Sequence, residues 1–109
     1  MGTARLKTDR VAAVGRLVAR GEWTTYGDIA RVALGGRGAR IVGQIAARGG
    51  IPNAHRVLLA GGKISPGFDG GRVERCRQRL EAEGIGFVGG RADPSRRLTW
   101  LDLAARLES

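Results

Sequence analysis

Apolar residues recur at helical spacing in the first part of the chain. Val11, Val14, Leu17 and Val18 share one side of a helix predicted over residues 6–20, with Gly21 as its stop. Thr25-Tyr26-Gly27-Asp28 reads as a capping box that opens a second helix running to about Leu34. Gly35-Gly36-Arg37-Gly38 is a turn. A third helix is expected over residues 39–48, with Ile41, Val42 and Ile45 toward the core. Arg40, Gln44, Ala47 and Arg48 fall on its other side. Two short helices around a glycine-bearing turn have the form of a helix-turn-helix. Ala39, Gly43 and Ala47 line the third helix with small side chains. Such a stripe serves either close approach to a narrow groove or close packing of helices, and both remain open at this point.

Residues 56–59 and 63–65 flank Gly61-Gly62 and predict a β-hairpin, the wing of a winged domain. Residues 66–71 form a glycine-rich loop. A fourth helix over residues 73–83 turns Val73, Cys76 and Leu80 inward, with Gly84 as its cap. Arg77 with Glu81, and Arg79 with Glu83, have the spacing for surface pairs worth roughly 0.3 kcal/mol each. Phe87 and residues 98–101 read as short strands, and residues 103–107 as a last helical turn or two. The expected fold class is α/β, mostly α: one winged helix-turn-helix-like domain over residues 1–109 with a small hairpin wing.

Composition sharpens this picture. A chain of 109 residues with 42% hydrophobic content suits one domain with a modest core. No apolar stretch is long enough to cross a membrane. Arg5, Lys7, Asp9, Arg10 and Arg16 interrupt the N-terminal segment, unlike the layout of a signal peptide. The 19 Lys and Arg against 10 Asp and Glu give a net charge of +9, and only Lys7 and Lys63 are lysines. Guanidinium groups suit phosphates and base edges, so a small, strongly basic domain points to nucleic acid. Coding bias toward arginine is the plainer alternative. Arg37, Arg40, Arg48 and Lys63 are the expected phosphate contacts; about four neutralised phosphates give a log–log salt slope of roughly −4. The single cysteine, Cys76, rules out an intramolecular disulfide and fits a reducing cytoplasm. With His55 the only histidine, a protein-only zinc site is not expected, nor is a cofactor.

Four segments in one order resemble the DNA-binding domain of the O6-alkylguanine-DNA alkyltransferases. They are Thr25-Tyr26-Gly27-Asp28-Ile29-Ala30, Ala39-Arg40-Ile41-Val42-Gly43, Ala54-His55-Arg56-Val57, and Gly70-Gly71 followed by a helix ending in Glu83-Gly84. The resemblance covers roughly residues 6–87 and leaves the tail from Val88 unexplained. Active members read Pro-Cys-His-Arg-Val in the third segment; this chain has Ala54 where they carry the nucleophile, while His55 and Glu83 remain. A methyl side chain cannot accept an alkyl group, and Cys76 lies on an inward stripe far along the chain.

This pattern resembles the alkyltransferase-like proteins, which bind alkylated DNA without repairing it and pass it to nucleotide excision repair. The resemblance implies that Tyr26 presses on the phosphate beside the lesion and that Arg40 fills the space of the flipped base. It places a lesion pocket between Tyr26, Ala54 and the loop containing Ser65, Pro66, Phe68 and Asp69. Phe68 would stack on the base, and Asp69 would accept from an exocyclic amine. Arg37, Gln44, Arg48 and Lys63 complete the DNA-binding set. The implied partner is double-stranded DNA containing alkylated guanine, with nucleotide excision repair proteins downstream. The implied state is a cytoplasmic monomer, nucleoid-associated in a bacterium. Two other classes compete: a winged helix-turn-helix regulator without lesion specificity, and an enzyme acting through Cys76 or through His55 and Glu83.

Overall fold

The computed structural model describes the backbone from Thr3 to Ser109 and the side chains from Arg5 onward. Met1 and Gly2 of the domain expected over residues 1–109 lie outside the described residues. The order of elements is α1 (Thr3–Gly15), β1 (Thr24–Thr25), α2 (Tyr26–Ala33), α3 (Ala39–Ala47), β2 (Val57–Leu58), α4 (Val73–Ala82), β3 (Phe87–Val88), β4 (Arg91–Ala92) and α5 (Trp100–Glu108). The mostly helical class read from the sequence is the one that forms.

α1 stops at Gly15 rather than at Gly21, and the reason is tertiary. A Cβ on Gly15 would stand 2.8 Å from Cγ2 of Ile51. The carbonyls of Gly15 and Val18 accept from Asn53 Nδ2 at 2.9 and 3.0 Å, replacing helical partners. α2 begins where the sequence predicts, but with only the Thr25 half of the capping box. The Thr25 hydroxyl accepts from the Asp28 amide at 3.1 Å and donates to Asp28 Oδ2 at 2.8 Å. Val42 and Ile45 of α3 are buried, while Arg40, Gln44, Ala47 and Arg48 face out.

Two apolar clusters hold these elements. Val11, Val14, Val18, Ile29, Val42, Ile45 and Leu103 join α1, α2, α3 and α5. Trp23, Leu58, Cys76, Leu80, Ile85 and Ala92 tie α4 and the small strands together.

The hairpin expected over residues 56–65 does not form. β2 pairs in parallel with β1, Thr24 opposite Val57 and Thr25 opposite Leu58. Gly61 and Gly62 take left-handed conformations in a tight turn closed by the Leu59 amide on the Lys63 carbonyl at 2.8 Å. Beyond the turn, Lys63 bridges to Arg91 instead of returning along β2. A Cβ on Gly62 would lie 2.9 Å from the Ala92 amide, so β4 occupies the space beside the turn. The antiparallel hairpin of this chain is β3–β4, where Phe87 faces Ala92 across Gly89-Gly90. The Arg79–Glu83 surface pair is also absent, because Glu83 is engaged elsewhere; Arg77 and Glu81 do pair, at 3.6 Å.

The tail folds back onto the domain. The Trp23 indole donates to the Asp93 carbonyl at 2.8 Å, and backbone bonds link Trp23 with Arg96 and Leu98. Residues 98–101 are not a strand: a Thr99–Asp102 capping box starts α5 at Trp100. Leu103 is fully buried, and Arg106 makes a two-pronged ion pair with Glu22. The anchor is Asp28, whose carboxylate accepts from Arg97 at 2.7 Å and from the Trp100 amide at 3.2 Å.

One buried carboxylate thus braces the Thr25 cap of α2 and pins α5. Asp28→Ala removes all these bonds and leaves the Trp100 amide without its acceptor. A loss of roughly 3 kcal/mol of unfolding free energy is expected in denaturant titrations. Arg97→Gln breaks only the part-exposed side-chain pair, and a loss of about 1 kcal/mol is expected.

Candidate nucleic-acid interface

Between Ile29 and Phe68 the sequence holds no acidic residue and six basic ones, Arg31, Arg37, Arg40, Arg48, Arg56 and Lys63. The fold spreads most of these charges outward. Arg37 sits on the turn between α2 and α3, Arg40 on the first turn of α3, and Arg48 at its C-cap. All three are exposed, as is Lys63, and none forms an ion pair among the described residues. The carboxylates of Glu22, Asp28 and Glu83 are meanwhile consumed by Arg106, Arg97 and Arg56. The face around α3 is therefore left with uncompensated positive charge.

Beside α3 lies an open cleft of about 990 Å³. Ala39, Arg40, Gly43, Gln44 and Ala47 line it from α3. Tyr26 and Ala54 line it from α2 and the turn before β2, and Ser65, Phe68 and Asp69 from the loop before α4. The cleft thus gathers most of the sequence-predicted pocket. Pro66 is the exception: it is exposed and outside the lining. Arg37, Arg48 and Lys63 also lie outside the cleft, on the surrounding surface. Burial raises the Tyr26 phenol above its ordinary pKa, partly offset by its hydrogen bond with Ser65.

Local conformation explains the loop. Asp69 (φ 48°) is the one non-glycine residue with positive φ among the described residues, and Gly70 follows it in the same left-handed region. These two turn the chain sharply ahead of α4. The Asp69 carboxylate lies 3.5 Å from Arg75 Nη1 on α4.

The small stripe on α3 has a clear reading. A Cβ added to Gly43 would meet nothing within 4 Å, so no neighbouring helix requires glycine there. Close packing does not explain the stripe; it forms a low wall to the open cleft.

Behind Ala54, Glu83 is the centre of a buried network. Its side chain is 6% exposed and accepts from His55 Nε2 at 2.7 Å, Arg56 Nε and Nη2 at 3.0 Å, and the Gly21 amide at 3.0 Å. Burial alone raises the carboxyl pKa, but these donors, Arg56 foremost, overcome it and bring it down to about 2. His55 shifts the opposite way: burial lowers its pKa and outweighs the pull of Glu83. A neutral His55 then donates Nε2–H to Glu83, leaving Nδ1 as a buried lone pair without a partner. Arg56 also donates to the Val18 carbonyl at 3.1 Å, so it braces the segment that follows α1.

Cys76 is far from His55 in sequence but not in space. Its thiol donates to the His55 carbonyl at 3.3 Å. It is fully buried, and burial pushes its pKa up to about 12, so it carries no thiolate near neutrality. Sequence reading missed Arg75 and Arg79, which line the cleft from α4. Their i, i+4 spacing put them on one face, but the sequence did not show what that face meets.

A small helix-turn-helix domain with an uncompensated basic face and an adjoining cleft defines a DNA-binding class. Residues 7–85 match the family described as 6-O-methylguanine DNA methyltransferase, DNA binding domain. The chain belongs to that family. Over 94 residues it is 36% identical to the DNA base-flipping protein of Escherichia coli (strain K12), covering 84% of this chain and 71% of that protein. It is also similar to S. pombe Atl1 solved in complex with damaged DNA containing O6-carboxymethylguanine. That likeness has a TM-score of 0.65 at 29% identity and covers 91% of this chain and 99% of the other. A second structure, S. pombe ATL in complex with DNA, gives a TM-score of 0.68 at 29% identity.

The Glu83 network makes acid stability a test. Because the folded pKa lies below the ordinary 4.5, its stabilisation is full above that pH and is lost as pH falls toward 2. Unfolding free energy is expected to drop by roughly 3 kcal/mol more in the native protein than in Glu83→Gln across this window. Equal slopes in the two proteins would show that the network is not the source.

Proposed function

We propose that this chain is a non-enzymatic sensor that binds O6-alkylguanine in duplex DNA by flipping the nucleotide into the cleft. One observation carries the reading. The cleft collects Tyr26, Arg40, Phe68 and Asp69 around Ala54, beside an assembled His55–Glu83 pair. A general base next to a methyl group has no thiol to activate. Cys76, protonated and sealed in the core, does not take its place. The names carried by the relatives support base flipping and recognition of damaged DNA.

In this reading α3 enters the minor groove, where the small stripe of Ala39, Gly43 and Ala47 lets the backbone come close. Arg40 enters the stack and hydrogen-bonds the orphaned cytosine, for which a flat guanidinium is suited. Tyr26 presses on the phosphate beside the flipped nucleotide, and Phe68 stacks on the base. Unstacking costs less at a damaged pair, which favours lesions before any pocket contact forms. Arg37, Arg48 and Lys63 hold the flanking phosphates, and nucleotide excision repair proteins act on the marked site.

The test is a titration at fixed salt of one duplex carrying either guanine or O6-methylguanine at one position, followed by mass measurement of the protein. Tighter binding to the lesion with unchanged mass is the expected result. Equal affinities would favour a regulator without lesion specificity, and a gain of one methyl group would reveal an enzyme. Arg40→Ala is expected to weaken lesion binding by roughly tenfold or more, as loss of a desolvated charge contact does. A Cβ at Gly43 meets nothing within 4 Å and the position lines the open cleft, so Gly43→Leu should leave stability within about 1 kcal/mol of the native value. The same substitution should weaken binding of both duplexes; unchanged affinity would remove α3 from the groove.

A further inference from the structure

Arg79 is the cation of the cleft that the DNA-binding reading leaves without a task. It lines the cleft from α4, one turn beyond Arg75 and on the same helix face. Its expected partner Glu83 is taken by Arg56, His55 and Gly21, and Arg79 forms no ion pair among the described residues. Arg75 is different, since Asp69 already offsets its charge at 3.5 Å. Cys76, three residues before Arg79 on α4, donates its thiol to the His55 carbonyl at 3.3 Å, so α4 packs against the turn that carries Ala54. Arg79 and Ala54 line the same cleft, so the guanidinium stands on the α4 wall of the space open to a group carried on O6. A guanidinium there has donors in a planar fork and no anion to receive them.

We propose that Arg79 is a specificity-determining residue that selects O6-guanine adducts ending in a carboxylate over neutral adducts of the same size. This rests on the reading of the cleft as the lesion pocket and adds the charge of the ligand it prefers. A carboxylate at the adduct terminus supplies the missing partner of Arg79, whereas an amide of equal shape supplies only a neutral acceptor. The remaining acid of the cleft, Asp69, is held by Arg75 and offers little repulsion.

The probes are three duplexes with one central base each: guanine, O6-carboxymethylguanine and its uncharged isostere O6-carbamoylmethylguanine. At fixed low salt the native protein is expected to bind the carboxymethyl duplex about tenfold more tightly than the carbamoylmethyl one, the scale of a charge-assisted hydrogen bond. Arg79→Gln should reduce that ratio to near one while both lesions stay preferred over guanine, and Arg79→Lys should restore part of it. Melting curves of the variants confirm that the exposed substitution leaves the fold intact. A ratio near one in the native protein overturns the proposal, as does an Arg79→Gln variant that weakens all three duplexes equally, the behaviour of a phosphate contact. If neither lesion is preferred over guanine, the sensor reading itself fails.

Discussion

The carboxylate of Glu83 is taken out of water at the junction of three segments, and the geometry of the cleft depends on how it is satisfied. A buried charge without partners costs several kcal/mol, so the surrounding chain must supply donors. Gly21 brings the segment after α1, while His55 and Arg56 bring the turn before β2. Arg56 then reaches on to Val18, and Asn53 to Gly15 and Val18. The end of α1, the 53–56 turn and the end of α4 are thereby fixed to one another. Ala54 has no choice of position once its neighbours are clamped, and with it the back of the cleft is set. His55 and Glu83 thus have a structural role in holding the back of the cleft.

Asp28 performs a similar service on the other side of the domain. It accepts from the Thr25 cap of α2, from Arg97 and from the Trp100 amide, so the chain beyond Val88 becomes part of the core instead of a free arm. Trp23 and Leu103 complete that attachment from inside. The effect on electrostatics is as important as the effect on packing. Glu22, Asp28 and Glu83 are each spent on an arginine away from the α3 surface. What remains unpaired on that surface is positive, which suits the backbone of a duplex.

Much of the domain was legible along the chain. The second, third and fourth helices fall where their apolar spacing and caps put them, because those signals are local. The pocket residues Tyr26, Arg40, Ala54, Ser65, Phe68 and Asp69 do converge, since the motif order carries their arrangement. Other features were not legible. Two Gly-Gly pairs, at 61–62 and 89–90, carry the same hairpin signal, and only the second makes a hairpin. The first loses because β2 finds its partner in β1, distant in sequence, and β4 fills the space beside Gly62. The Thr99–Asp102 capping box was a readable local signal, yet the strand-like run Leu98-Thr99-Trp100-Leu101 masked it.

The sequence by itself determined the helical framework, the basic character and the family motifs, with Ala54 ahead of His55. These follow from spacing, charge count and residue identity, which need no knowledge of distant contacts. Only the tertiary structure decided where α1 ends, which residues pair with β2, how the tail is anchored and which arginines face the cleft. Each of those outcomes hangs on groups far apart in the chain competing for one partner: Arg56 rather than Arg79 for Glu83, and Arg97 and Trp100 for Asp28. Burial settles such competitions, because the cost of an unsatisfied polar group is felt only once the chain has closed around it.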